Sequence, residues 1–264
     1  MLSGICIRIV FVNSLTEVEN KMKLYNKTIV LTGGTSGIGR ELVKQLHENN
    51  KLIVIARPTE RLKQTKQQYP EVAIYPCDLS LPKNYQTVCD AIIKEHTNID
   101  LLINNAALQH TEQFLSDDFK YDAMAIEVNT NFHAICALSY LLLPALSNSK
   151  TSAILNVNSG LGLVPKTSSA VYCATKAAVN AFTMSLRYQL ADTQIAVMQS
   201  FLPLVDTQMT LGRGSGKLSA AEAANEIIKG VEQGKNSNYI GKVKLLRFLM
   251  LFAPPLARKL MRNY

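Results

Sequence analysis

The sequence predicts an α/β protein: one doubly wound domain whose sheet is mostly parallel, with helices on both faces. Three observations carry this expectation. Short apolar runs alternate with helix-like segments along the chain. Those runs are continuously apolar rather than alternating, as strands covered on both faces must be. The first run ends in a glycine-rich turn that opens directly into a helical pattern.

Taken in order, the β-branched run 28–32 predicts the first strand, and 38–49 the first helix. Residues 52–56 follow as the second strand, with a polar helical segment reaching Gln68. Residues 72–75 and 101–104 predict the third and fourth strands, with a helix over 85–96 between them. A long helical region is expected over 121–146, a fifth strand over 153–157, a helix over 170–190 and a sixth strand over 195–201. No linker or internal repeat divides the chain. The domain is therefore expected to span 22–241, followed by a basic, apolar segment over 242–264. The opening residues 1–21 carry an apolar run broken by Arg8, and no cationic stretch precedes it as a signal peptide requires. They are expected to be a loose extension, or to lie ahead of a natural start at Met22.

Composition narrows the function classes. A 264-residue chain with 47% hydrophobic and 18% charged residues is globular rather than disordered. Its longest apolar stretches are broken by Pro144, Arg247, Pro254 and Pro255, so a membrane span is not expected. Five cysteines without paired spacing suit a reducing cytoplasm, and scattered histidines imply no metal. The net charge of +8 is uneven. Residues 1–210 hold 18 Lys/Arg against 17 Asp/Glu, whereas 211–264 hold 10 against 3. That localised charge argues against a nucleic-acid-binding face.

The turn containing Gly33, Thr35, Ser36, Gly37, Ile38 and Gly39 follows a strand and opens a helix. Glycines let a pyrophosphate approach, and the helix N-terminus offers free N–H groups; the alternative is an ordinary tight turn. After the second strand, where an acid would grip the ribose of NAD, the chain has Arg57 and no carboxylate before Glu60. A guanidinium there suits a 2′-phosphate, so NADP(H) is favoured over NAD(H). Otherwise Arg57 is a solvated strand-end residue. Asp78 and Leu79 follow the third strand, and Asn105, Ala106 and Ala107 the fourth, at strand ends where open α/β sheets bind ligands. Each also suits a helix cap or turn. Tyr172 and Lys176 lie four apart on one helix face, with Ser159 upstream. A phenol needs a neighbouring cation to exchange protons near neutrality, and Lys176 is expected to supply it.

In this order, Thr32-Gly33-x-x-x-Gly37-x-Gly39, Asn104-Asn105-Ala106-Ala107, Asn129, Ser159 and Tyr172-x-x-x-Lys176 resemble the short-chain dehydrogenases/reductases of single-domain, Rossmann type. The resemblance covers roughly 26–207, and the stretches 154–165 and 185–190 look most like the DltE-like branch. It implies that Tyr172 exchanges a proton with a carbonyl or alcohol oxygen, that Ser159 binds that oxygen, and that Lys176 lowers the Tyr172 pKa and holds the nicotinamide ribose. It further implies that Asn129 anchors a water between Lys176 and solvent, and that Val205 and Thr207 meet the carboxamide. Ala107 stands where the family usually has Gly, and Leu202-Pro203 where it has Pro-Gly, which stiffens the wall beside the nicotinamide. The implied substrate is a small, largely apolar carbonyl or alcohol compound. A non-catalytic NADP(H)-binding sensor or scaffold is the alternative.

Ala170, Ala174, Ala177, Ala178 and Ala181 make the Tyr–Lys helix narrow, for a homodimer interface or for packing on its own sheet. In 242–264 the cations interleave with leucines and phenylalanines. That pattern suits weak peripheral contact with an anionic membrane, or a helix packed over the pocket.

Overall fold

The computed structural model describes residues 21–262; the expected N-terminal extension lies outside them, apart from Lys21. The chain runs β1 (Thr28–Thr32), α1 (Gly37–Leu46), β2 (Lys51–Ala56), α2 (Glu60–Gln68), β3 (Ala73–Pro76), α3 (Tyr85–Glu95) and β4 (Leu101–Asn104). Next come α4 (Tyr121–Val128), a π-helical turn (Asn129–His133), α5 (Ala134–Leu141) and α6 (Leu143–Ser147). The rest is β5 (Ser152–Ser159), α7 (Ala170–Gln189), β6 (Ile195–Leu202), β7 (Val205–Asp206), β8 (Leu218–Ser219), α8 (Ala220–Glu232), β9 (Ser237–Tyr239), α9 (Val243–Phe252) and α10 (Pro254–Arg262).

Seven strands form one parallel sheet in the order β3-β2-β1-β4-β5-β6-β9, while β7 and β8 pair separately. Successive strand residues feed opposite cores. Ile29, Leu31, Leu52, Val54, Leu101 and Ile103 pack with α1 and α8 on one face. Val30, Ile53, Ile55 and Leu102 pack with α3, α5 and α7 on the other. The continuous apolar runs are thus the signature of a sheet buried twice. The strand order reverses between β1 and β4, which opens a crevice at their carboxyl ends.

The long helical region expected over 121–146 is divided into three α-helices, with Leu142 between the last two at φ −91° and ψ −1°, and Pro144 cannot continue an α-helical ladder. A π turn also interrupts it at 129–133. Residues 242–262 pack as a roof, the second of the two placements the sequence left open. Val243 and Leu246 are buried against the loop after β5, and Thr167 donates twice to the Arg262 carbonyl, from its amide at 3.1 Å and its hydroxyl at 2.7 Å. Among the described residues, no helix is long and apolar enough to cross a membrane.

Candidate active site

A cleft of about 700 Å³ runs across the carboxyl ends of β1, β2, β4, β5 and β6. At its dinucleotide end, Gly33 turns the chain with a φ of 74°, a conformation that favours glycine. A Cβ on Gly39 would stand 1.9 Å from the Gly33 carbonyl oxygen, so only glycine fits. Ser36 precedes α1 without capping it by its side chain, leaving first-turn N–H groups for a ligand. Thr35, Ser36, Gly37 and Ile38 all line the cleft there. This cradle fits a dinucleotide pyrophosphate.

Thr32 fastens the turn to the neighbouring strand. Its Oγ1 accepts from the amides of Asn105 and Ala106, each at 3.0 Å. Asn105 Nδ2 answers by donating to the carbonyls of Thr32 at 3.0 Å and Gly33 at 3.2 Å. Ala107 has no left-handed backbone, so the methyl that replaces glycine there is unstrained. Asp78 Oδ1 is engaged by the Ser80 amide at 2.9 Å, while Leu79 is buried with its carbonyl bonded to the Tyr85 hydroxyl. Arg57 lies exposed at the cleft's edge, and Arg61, which sequence reasoning missed, lines it beside Arg57. Only the helical repeat of α2 puts Arg61 there, one turn beyond the strand end.

Ser159 ends β5, and α7 brings Tyr172 and Lys176 beneath it. A chain of buried amides fixes this register. Asn104 donates to Asn156 at 2.9 Å, Asn156 to the Thr183 hydroxyl at 2.9 Å, and Gln199 to Asn180 at 3.0 Å. Lys176 is 3% exposed, and its Nζ donates to the Val157 carbonyl at 2.9 Å, lying 5.7 Å from the Tyr172 ring centre. Burial lowers its pKa to about 8. Tyr172 is pushed up to about 12, chiefly by burial, against which the Ser159 hydrogen bond and the Arg213 charge act in the lowering direction. Lys176 spends a hydrogen bond on Val157 and lies over the ring rather than at the hydroxyl.

Asn129 does not reach this corner. Its Nδ2 donates to the Ser80 carbonyl at 3.0 Å, on the side of the third-strand loop. Asn131, two residues on, is fully buried and bonds both ways to the Leu108 backbone: Nδ2 to the carbonyl at 2.8 Å, Oδ1 from the amide at 2.9 Å. Its amide also approaches the Thr175 hydroxyl at 3.4 Å, beside Lys176. The π turn swings this side chain inward, a common use of such turns at functional sites. A signal was present, since Asn131 is in phase with the buried stripe Ala134, Ile135 and Leu138. Leu202, Pro203, Val205 and Thr207 close the cleft's far wall, with Thr207 N accepted by Thr210 Oγ1 at 3.2 Å.

The short chain dehydrogenase family model matches residues 27–217. The uncharacterized oxidoreductase DltE of Bacillus subtilis is 34% identical over 233 residues, 86% of this chain and 92% of its own length. Among solved structures, a short chain dehydrogenase from Burkholderia cenocepacia in complex with NADP superposes with a TM-score of 0.81 at 23% identity, covering 92% of this chain and 100% of the other. A short chain dehydrogenase/reductase from Burkholderia phymatum in complex with NAD gives 0.80 at 20% identity, covering 92% and 97%. Those two likenesses speak to the fold, while the matched model and the DltE identity speak to descent. On these grounds the chain belongs to the short-chain dehydrogenase/reductase family, as an oxidoreductase of carbonyl and alcohol groups that uses a nicotinamide cofactor.

Proposed function

We propose that the enzyme is an NADP(H)-dependent carbonyl reductase or alcohol dehydrogenase for a small, largely apolar substrate, with Tyr172 as its acid/base. The observation that carries this reading is the corner of Ser159, Tyr172 and Lys176. A buried phenol shares one cleft with Ser159, Lys176 and an open helix terminus. The bound cofactor supplies or accepts the hydride. With its pKa near 12, Tyr172 holds its proton at neutral pH and can donate it to a carbonyl oxygen. Ser159 binds the same oxygen and stabilises its growing charge. Lys176 lines the same cleft, carries its charge below about pH 8 and would hold the ribose hydroxyls of the nicotinamide half. Asn131, rather than Asn129, braces the loop after β4 against the turn that holds Lys176.

Arg57 and Arg61 at the adenosine end support NADP(H), because two guanidiniums suit a 2′-phosphate. Titrating NADPH against NADH by fluorescence tests that preference; equal affinity would remove it. Tyr172→Phe is expected to keep NADPH binding while cutting carbonyl-dependent NADPH oxidation by about a hundredfold or more. Unchanged turnover would favour the sensor or scaffold reading.

Two surfaces support finer placement. Ala170, Ala174, Ala177 and Ala181 stay exposed on α7, alongside Met184 and Tyr188, and suit a second copy of the chain. The outer face of the roof exposes Leu245, Phe248, Leu251 and Phe252 amid six cations and no acid over 242–264, which suits an anionic membrane surface from the cytoplasmic side. Light scattering tests the first and flotation with anionic vesicles the second; a monomer, or protein that stays at the bottom, would sink each in turn.

A further inference from the structure

The cleft around Tyr172 carries charge that reduction of a plain ketone does not need. Lys166, on the loop between β5 and α7, lines the cleft half-buried. Arg213 stands between β7 and β8, and its Nη1 donates to Gln109 Oε1 at 3.0 Å. Gln109 lines the cleft too, and its Nε2 donates to Ser169 Oγ at 3.0 Å. Ser169 holds a left-handed φ of 61°, a strained conformation for a side-chain-bearing residue that tends to persist at functional sites. Lys242 reaches the same mouth from the roof, its Nζ 2.9 Å from where a Cβ on Gly216 would stand.

These cations lack counter-charge. Gln109, which lines the cleft, ties the Arg213 guanidinium to its edge, and burial first and Arg213 second push the Lys166 ammonium pKa down. Among the described residues, no ion pair joins Lys166, Arg213 or Lys242 to an acid. Glu112 feels the Arg213 charge but stands 3.9 Å from His110, and Glu127, behind Tyr172, is raised to about 7 by burial. Like charges gathered at a half-buried site without an acid are disfavoured until an anion joins them.

We propose that Lys166 and Arg213 form a carboxylate site, so that the substrate is a ketone or secondary alcohol bearing a carboxylate. Its carbonyl meets Tyr172, and its apolar part lies against Leu161, Leu204, Leu246 and Met261, which line the same cleft. Arg213 supplies a planar fork suited to a carboxylate, and Lys166 a point charge. Gly212 and Gly214 on either side of Arg213 in the chain, and Gly216 beyond, hold positive φ, so this loop's course depends on glycine backbone. This inference rests on the carbonyl/alcohol reading and adds the head group to it.

The test uses the full-length enzyme with NADPH, reducing 4-oxopentanoate and 5-oxohexanoate beside their methyl esters. The acids are expected to exceed the esters in kcat/KM by about tenfold, the worth of one charge-assisted hydrogen bond. Lys166→Met and Arg213→Gln should each bring that ratio close to one by raising KM for the acids. Equal rates for acid and ester in the parent enzyme would overturn the site. So would weakened NADPH affinity in either variant, because the cations would then serve the cofactor. Hexanoate, which cannot be reduced, gives a reading independent of turnover: calorimetric titration of the NADPH-bound protein should show affinity falling about tenfold in both variants. Hexanoate binding in this way without reduction of any ketone would keep the carboxylate site and remove the carbonyl reading. Reduced esters with no preference for acid or hexanoate would do the reverse.

Discussion

The two ends of the cleft hold their ligands by different means. At the dinucleotide end the backbone does the work: two glycines permit close approach, and Thr32 and Asn105 lace β1 to β4 through four hydrogen bonds of 3.0 to 3.2 Å. At the substrate end side chains do it, carried on a loop with three positive-φ glycines and on roof helices with a bare apolar outer face. A ligand gripped through backbone groups restricts the residue types that can stand there. One gripped through side chains leaves the loop free to change.

The largest expected effect tests that contrast directly. Gly39→Val would place a Cβ 1.9 Å from the Gly33 carbonyl oxygen and 2.7 Å from Asn105 Nδ2. It is expected to abolish NADPH binding and to destabilise by about 3 kcal/mol or more, read by fluorescence titration and urea unfolding. Gly212→Ala would meet nothing within 4 Å and should cost only about 1 kcal/mol for its left-handed φ, with NADPH binding kept. If both variants lose the cofactor alike, the contrast is wrong.

Next in size is the asparagine pair. Asn131→Ala leaves both polar groups of the Leu108 backbone unpaired and is expected to cost about 2 kcal/mol along with most of the turnover. Asn129→Ala removes one bond to Ser80 and should cost about 1 kcal/mol with turnover largely intact. The reverse ranking in paired unfolding and rate measurements would restore Asn129 to the proton path.

The smallest effect is Glu127→Gln. Burial raises the Glu127 carboxyl from 4.5 to about 7, so the folded chain keeps a proton that the unfolded chain releases between those values. Stability should therefore fall as pH rises from 4.5 to 7 and level off above, by roughly 1–2 kcal/mol. The glutamine variant should flatten that slope and be the more stable protein at pH 8. A parallel pH dependence in both proteins would show that other groups set it.

The sequence made the dinucleotide end legible because its constraints are local: a strand, a turn that only glycines allow, then a helix. Ser159, Tyr172 and Lys176 stood out as candidates only in the order of the whole motif set, since a phenol and an ammonium four apart occur on many helices. Asn131 was passed over for Asn129, although it is the one in phase with the buried Ala134, Ile135 and Leu138. Arg213 and Lys166 lie 47 positions apart in the chain and meet only through the fold. The helix α8 went unread although Ser219 and Glu222 form a capping box before the buried face of Ala223, Ala224, Ile227 and Val231. The long helical region over 121–146 was legible as helix but its divisions were not, since its apolar periodicity survives breaks that only the backbone reveals.

The paired hydrogen bonds from Thr167 to the Arg262 carbonyl make the roof a strap fastened at both ends, at Gly241 and at the loop that leaves β5. That same loop carries Lys166 and leads into the helix of Tyr172. Unfastening the strap must therefore disturb the pocket wall as well as its cover. A change that loosens Thr167 is expected to act on the cover and on the loop of Lys166 together.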